Sequence, residues 1–143
     1  PGLAVSTDVI VGFPGETEED FESTLELVTE ARFDSAFTFI FSPRPGTAAA
    51  TLTEQFVPDE LIRERFNRLS ELQDRISGEK NADLLGSTVE VLSEGPSRKN
   101  PQVATTRSRT GKVVHVAGAH RAGSFFLAEI RKAHAHHLVG SPV

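Results

Sequence analysis

The sequence contains no cysteine, methionine, tryptophan or tyrosine, and all ten of its aromatic residues are phenylalanine. Without cysteine its 143 residues can hold neither a disulfide, nor a thiolate nucleophile, nor a cysteine-ligated zinc or iron-sulfur cluster. Long apolar runs are lacking too. None approaches the ~20 residues that a membrane-spanning helix needs, and the opening PGLAVSTDVIVGF has neither the basic segment nor the cleavage site of a secretory signal. The expectation is therefore a cytoplasmic protein with no membrane partner. Apolar residues at 38%, with 11 glycines, suit a globular chain and argue against disorder, collagen and coiled coil.

Charge is unevenly distributed along the chain. Residues 1–79 carry 6 Lys+Arg against 16 Asp+Glu, and residues 80–143 carry 9 against 4, giving net charges of −10 and +5. Eight of the ten Phe fall in the acidic part and all five His in the basic part. Such asymmetry predicts two modules with different partners, the basic one suited to a polyanion.

In the acidic module, Leu3 to Phe13 reads as a strand of a covered, parallel sheet, with Val5, Thr7, Val9, Val11 and Phe13 on one face and Ser6, Asp8, Ile10 and Gly12 on the other. The bulky face is expected to pack against helices and the smaller, more polar one to face whatever the sheet encloses. Pro14-Gly15 ends the strand, and Thr17 is placed to cap a helix opening with Glu18, Glu19 and Asp20 and carrying Phe21, Leu25, Val28 and Ala31 at helical spacing. A second strand, Ser35 to Ser42, repeats the alternation with Phe37, Phe39 and Phe41 on its bulky face. The result is a βαβ unit. Two strands make a weak parallel sheet, so either this unit completes a larger sheet supplied by another segment or the chain is a fragment of a longer protein, and the exposed apolar faces invite dimerisation.

Both strands lead into Pro/Gly-rich loops, and the carboxyl ends of strands are where α/β proteins bind ligands. Asp8, Gly12, Ser42 and Arg44 are the polar or permissive positions there, Arg44 lying between two prolines with a guanidinium suited to phosphate or carboxylate. Pro58 to Asp83 reads as one long amphipathic helix with Ile62, Phe66, Leu69, Leu72 and Ile76 on its stripe. Arg63, Arg65 and Arg68 are expected on its solvated side, within reach of Glu60, Glu64 and Glu71.

The basic module is a series of short alternating segments: Ser87 to Leu92, Gln102 to Arg109, Lys112 to Ala117, Phe125 to Ile130 and His136 to Val139. Turn signals separate them, predicting a five-stranded antiparallel barrel of the OB-like sort, a shape that often binds oligonucleotides. Arg98, Lys99, Arg107, Arg109 and Lys112 are expected to give it a cationic face. Stacking platforms are limited to Phe125 and Phe126. Binding through the phosphate backbone is therefore expected. His134, His136 and His137 lack nearby carboxylates and alternate in direction, so no metal site is assigned.

The stretch Asp8 to Phe21 (DVIVGFPGETEEDF), followed by Phe39 to Thr47 (FIFSPRPGT), closely resembles the late barrel strands of the radical S-adenosylmethionine methylthiotransferases. The resemblance continues through Arg65 to Leu69 and into Leu85 to Leu92, which looks like the start of that family's TRAM domain, and then through Thr106 to Val116 and His137 to Gly140. It covers nearly the whole chain in order. It implies an α+β chain of two modules: the carboxyl-terminal portion of a radical SAM barrel with a linker helix over 1–79, and a TRAM RNA-binding domain over 80–143.

The Arg44-Pro45-Gly46 loop looks like that of the tRNA-modifying branch, whereas the branch acting on a ribosomal protein typically carries acidic residues there. Phe33 to Phe39 and the linker resemble most closely the members that act on isopentenylated adenosine beside the anticodon; those acting on threonylcarbamoyl-adenosine share the Arg-Pro-Gly loop. What the resemblance implies for the parent protein is a tRNA substrate, S-adenosylmethionine and two 4Fe-4S clusters, one held by a CxxxCxxC loop that this chain does not contain. It implies a cofactor-binding role for Asp8, Ile10, Gly12 and Ser42, a substrate role for Arg44, and an amino-terminal remainder of the same protein as partner. The chain alone is then an inactive piece of an enzyme, the alternative being a non-catalytic RNA-binding module. The superfamily's GxIxGxxE pattern is partly matched, with Asp8 at its first Gly and the acid one position late at Glu16; Phe41 stands for the usual Tyr and Ala48 for the usual Pro.

Overall fold

The computed structural model describes residues 2–143. Its elements are β1 (Ser6–Val11), α1 (Glu18–Ala31), β2 (Ser35–Ile40), two short 3-10 turns (Ala48–Thr51 and Thr53–Gln55), α2 (Asp59–Ala82), β3 (Thr88–Pro96), β4 (Val103–Ser108), β5 (Val113–Ala117), β6 (Phe125–Ala133) and β7 (Leu138–Pro142). Two units result, Val5–Ile76 and Ser77–Val143 with the leading residues to Ala4. Among the described residues no helix is long and apolar enough to cross a membrane.

In the first unit, β1 and β2 pair in parallel, with Asp8 beside Phe37, Val9 beside Thr38 and Ile10 beside Phe39. Helix α1 crosses between them. Thr17 caps it in extended conformation: its hydroxyl accepts from the Asp20 backbone N–H at 3.1 Å, and the Asp20 carboxylate accepts from the Thr17 N–H at 2.9 Å. This reciprocal box satisfies two of the donors that a helix start leaves open. Arg32 ends the helix in the left-handed region at φ 47°. The core consists of Val11, Phe21, Val28, Ile62, Leu69 and Ile76, with Val9, Leu25, Phe33, Val57 and Leu72 packed against it. Ile62, Leu69 and Ile76 recur at heptad intervals, so one face of α2 covers α1 and one face of β1. Each side chain fully buried in this way contributes about 1.5–3 kcal/mol.

Two expectations are corrected here. The bulky face of the second strand does not pack against helices: in the parallel register Phe37 and Phe39 share a face with Asp8 and Ile10, and they are 62% and 52% exposed. Thr38 takes the side of Val9 instead. The second concerns Arg65, which is not solvated but 2% exposed and bound into the core rim.

The second unit is a closed barrel in the order β3-β4-β5-β7-β6, with β6 returning to β3. The expected antiparallel ring is corrected to a mixed one, because β5 and β7 run parallel with Val114 beside Leu138 and Val116 beside Gly140. A closed ring with an odd number of strands cannot alternate direction all the way round, so at least one neighbouring pair must agree. Val91, Val114, Val116, Ala128, Ile130 and Leu138 fill the interior, with Leu84, Val89, Phe126 and Ala133 packed against them. The buried Thr106 hydroxyl is satisfied by donating to the Val114 carbonyl at 2.8 Å. β6 runs on to Ala133 through a bulge between Ile130 and Lys132, and His134 to His137 form the connection to β7, whose strand therefore starts at Leu138 rather than His136.

Within this unit the last turn of α2 is fastened to the barrel by Asn81, 4% exposed. Its amide donates to the carbonyls of His134 at 2.7 Å and Ala135 at 3.1 Å, and its carbonyl accepts from Lys112 Nζ at 2.8 Å. A buried amide so fully used fixes where the helix meets the β6–β7 connection.

Candidate functional site

The loop leaving β1 is shaped by a chain of charged hydrogen bonds. Gly12 is buried at φ +77°, and its N–H points at both carboxylate oxygens of Glu16 at 3.2 Å. Glu16 is held in turn by Arg65, whose Nη1 donates to its Oε1 at 2.8 Å and to its backbone carbonyl at 3.1 Å. The same guanidinium donates through Nε and Nη2 to Glu18 Oε2 at 3.1 and 3.0 Å and lies 5.5 Å from the Phe21 ring centroid. Arg68 bonds Glu18 at 2.8 Å and Glu64 at 3.2 Å and also bonds Glu22, and its hydrogen bond to Glu18, with that of Arg65, holds the Glu18 carboxyl below the usual range. Only the Arg68–Glu64 link joins neighbours on one helix. Arg65 and Glu16 are far apart in sequence, which is why spacing along α2 does not reveal them.

The loop is also tied through its backbone. Gly15 N–H donates to the Gln55 carbonyl at 2.8 Å and Glu16 N–H to the Phe13 carbonyl at 2.9 Å. Phe13, Phe41 and Phe56 pack edge to face, with centroids 5.3 and 5.9 Å apart. Beyond them, a cavity of about 620 Å³ opens at the carboxyl ends of β1 and β2, lined by Asp8, Ile10, Phe39, Ser42 and Arg44 among others. Four of the residues singled out in the sequence therefore meet in one place, a carboxylate, a hydroxyl and a guanidinium around an apolar floor. The Arg44 side chain has no partner among the described residues, and its loop is held by Thr47, whose N–H and hydroxyl both donate to the Arg44 carbonyl.

Gly12 stands apart from this cavity. A Cβ there would lie 2.6 Å from Ile62 Cγ1, so its glycine serves close packing under the loop and a positive φ.

On the barrel, the five selected cations do not form one open face. Arg107 pairs with Glu94 at 2.9 Å and donates to the Gly111 carbonyl at 3.0 Å, Arg109 pairs with Glu90 at 3.1 Å, and Lys112 is engaged by Asn81. Arg98 and Lys99 differ: both are exposed on the β3–β4 connection and have no side-chain partner among the described residues. Phe125 is 66% exposed on the outer face of β6, whereas Phe126 packs against the core and stacks on His120 at 4.1 Å. His137 lies 4.5 Å from His134 and 5.3 Å from His115, ring to ring. Burial, then the neighbouring imidazoles of His134, His115 and His136, push its pKa below the ordinary histidine value. Nothing in the sequence marks Glu16, Arg65 or His115 as site residues, since what distinguishes each is a neighbour brought from another element.

No family model matches the chain. It is, however, similar over most of its length to curated proteins named tRNA-2-methylthio-N(6)-dimethylallyladenosine synthase. That of Thermoanaerobacter sp. (strain X514) is 56% identical over 118 residues, covering 82% of this chain and 25% of the relative. That of Tropheryma whipplei (strain Twist) is 48% identical over 145 residues, covering 98% of this chain and 31% of the relative. That of Clavibacter michiganensis subsp. michiganensis is 48% identical over 151 residues, covering 100% of this chain and 28% of the relative. In the two relatives aligned over 98–100% of the chain, the matched span takes in both the strand-end cavity and the barrel, and the chain is similar to one part of these tRNA-2-methylthio-N(6)-dimethylallyladenosine synthases, spanning 25–31% of their length.

Proposed function

We propose that the chain is the substrate-side part of a tRNA methylthiotransferase. In this reading residues 1–79 are the carboxyl-terminal portion of a radical SAM barrel with its linker helix, and residues 80–143 are a TRAM RNA-binding domain. The parent enzyme adds a methylthio group to isopentenylated adenosine next to the anticodon, in the cytoplasm. The observation that carries the reading is identity of 48% sustained over 98–100% of the chain, so that strand-end cavity and barrel are matched together.

Radical S-adenosylmethionine chemistry needs cysteine-ligated clusters. The residues present do not fit them, since the chain has no cysteine. For the cofactor itself, Asp8, Ile10 and Ser42 are the candidates, a carboxylate and a hydroxyl beside an apolar side chain at the strand ends. Arg44 is the candidate for the anionic groups of the tRNA. Arg98, Lys99, Arg107, Arg109 and Lys112 are the candidates for its backbone.

The test uses the full chain and a tRNA transcript in a filter-binding assay over a range of salt. Expected is binding whose affinity falls steeply as salt rises, because each phosphate neutralised releases counterions. No binding even at low salt would sink the proposal. Separately, the chain incubated with iron, sulfide and reductant is expected not to cleave S-adenosylmethionine, and turnover would refute the assignment as a part that lacks the cluster site.

A further inference from the structure

We infer that one concave face of the barrel, built by the β3–β4 connection and the outer sides of β4 and β5, is a phosphate site for the RNA backbone. This rests on the RNA-binding reading above and deepens it, by confining the contact to Arg98 and Lys99 with Ser97, Thr105 and His115 and by removing Arg107, Arg109 and Lys112 from it.

The face begins at a bulge. β3 slips in register against β4 between Ser93 and Gly95, leaving Glu94 in the extra position. Bulges bend a strand and re-aim the side chains around them. Here the bulged Glu94 turns to Arg107 and forms the 2.9 Å ion pair, so each cancels the other's charge. Past the bulge the connection is held by its own hydrogen bonds: Ser97 N–H to the Val103 carbonyl at 2.7 Å, Val103 N–H to the Asn100 carbonyl at 3.0 Å, and Gln102 N–H to Asn100 Oδ1 at 3.0 Å. Arg98 and Lys99 are thus carried on an ordered turn while their charged ends stay exposed.

They border a cavity of about 520 Å³, whose other walls are Glu94, Pro96, Ser97, Thr105 and His115, the Glu94 carboxylate being held by Arg107. Thr105 and His115 are cross-strand neighbours on the outer face, since the flanking Ala104, Thr106, Val114 and Val116 point inward. His115 Nδ1 is buried and has no hydrogen-bond partner among the described residues. Buried polar atoms in folded proteins are nearly always satisfied, so this unpaired nitrogen, on a ring that lines the cavity, leaves His115 with an unused hydrogen-bonding position. A guanidinium, an ammonium, two hydroxyls and an imidazole converge there, and with Glu94 already neutralised they suit a phosphodiester better than any apolar or cationic ligand. Two other exposed arginines carry their own counter-charges, Arg109 on Glu90 and Arg131 on Glu129 at 2.7 Å. Binding phosphate through them means breaking a bond already made. Arg98 and Lys99 are free to bind at once.

The test is salt-dependent filter binding of a tRNA transcript by the full chain and by Arg98→Ala/Lys99→Ala, Arg109→Ala and His115→Ala. The double variant is expected to fold normally, because both side chains are exposed and neither makes a hydrogen bond or ion pair among the described residues. It should lose about two units from the slope of log affinity against log salt. Arg109→Ala should leave the slope within about half a unit of the parent, and His115→Ala should weaken binding about two- to tenfold, the worth of one hydrogen bond. An unchanged slope in the double variant, or a larger loss in Arg109→Ala, overturns this inference while leaving RNA binding intact. Failure of the unaltered chain to bind overturns the RNA-binding reading itself and the inference with it.

Discussion

Replacing Arg65 with alanine should destabilise the first unit by about 3–5 kcal/mol, nearly all of it through Glu16. The guanidinium is 2% exposed and the Glu16 side chain 12%, so removing the arginine leaves a carboxylate with little access to water. Breaking one partner from a buried ion pair costs about 3–5 kcal/mol for this reason. Glu18 adds little, since its side chain is 51% exposed and water takes the place of the lost partner. A loss of that size is a large part of the ~5–15 kcal/mol by which domains are stable. With no tryptophan or tyrosine to report by fluorescence, the assay is urea unfolding followed by far-ultraviolet circular dichroism, which reads mainly α1 and α2. Arg65→Met combined with Glu16→Gln should be less destabilised than Arg65→Met alone, because the second change removes the stranded charge. A cost under about 1 kcal/mol for Arg65→Ala, or strict additivity in the double variant, would refute the view that this pair is a buried, mutually dependent unit.

Other perturbations act on features of the same kind. Gly12→Ala should cost about 1–3 kcal/mol, from a Cβ 2.6 Å from Ile62 Cγ1 and a positive φ, measured as a drop in urea midpoint; Ile62→Ala should partly relieve the clash in the double variant. Asn81→Ala removes the amide's hydrogen bonds to two carbonyls and to Lys112 Nζ, and should lower the barrel's thermal midpoint by an amount equivalent to about 1–3 kcal/mol. The barrel should lose stability on mild acidification. His137 has a folded pKa below its unfolded value of ~6.5, so the unfolded chain binds the proton more readily and stability falls as pH drops through that unfolded value. His137→Phe should flatten the midpoint between about pH 7.5 and pH 5, and an equally steep acid-side fall in that variant would show that another group is responsible.

Much of this architecture is legible in the sequence because it is set locally. Thr17 followed by Asp20 specifies its capping box, the α2 stripe specifies which side of that helix is buried, and turn residues separate the five barrel strands. What escapes is set by register and long-range partners. The Phe37–Phe39 alternation identifies a face but not the side of the sheet it occupies, which depends on pairing Asp8 with Phe37 rather than with Thr38. Charged neighbours one helical turn apart predict the Arg68–Glu64 link, yet nothing within α2 announces that Arg65 reaches Glu16 across the fold. In the candidate sites, Asp8, Ile10, Ser42 and Arg44 do gather as the strand-end pattern suggests. The cations of the barrel separate into neutralised and free sets only when Glu90 and Glu94 are seen beside them.

The parallel pairing that an odd ring requires gives β7 a special place in the life of the barrel. Its five residues, Leu138–Pro142, follow the other four barrel strands in the chain, and they hydrogen-bond to β5 on one side and β6 on the other. Until they dock, two strands of the nascent chain show bare edges, the feature most open to pairing with other molecules. Protection from aggregation therefore arrives in one late step. Leu138, fully buried, and Gly140, whose Cα sits so close that a Cβ would lie 3.0 Å from the Glu129 carbonyl oxygen, decide whether that step succeeds.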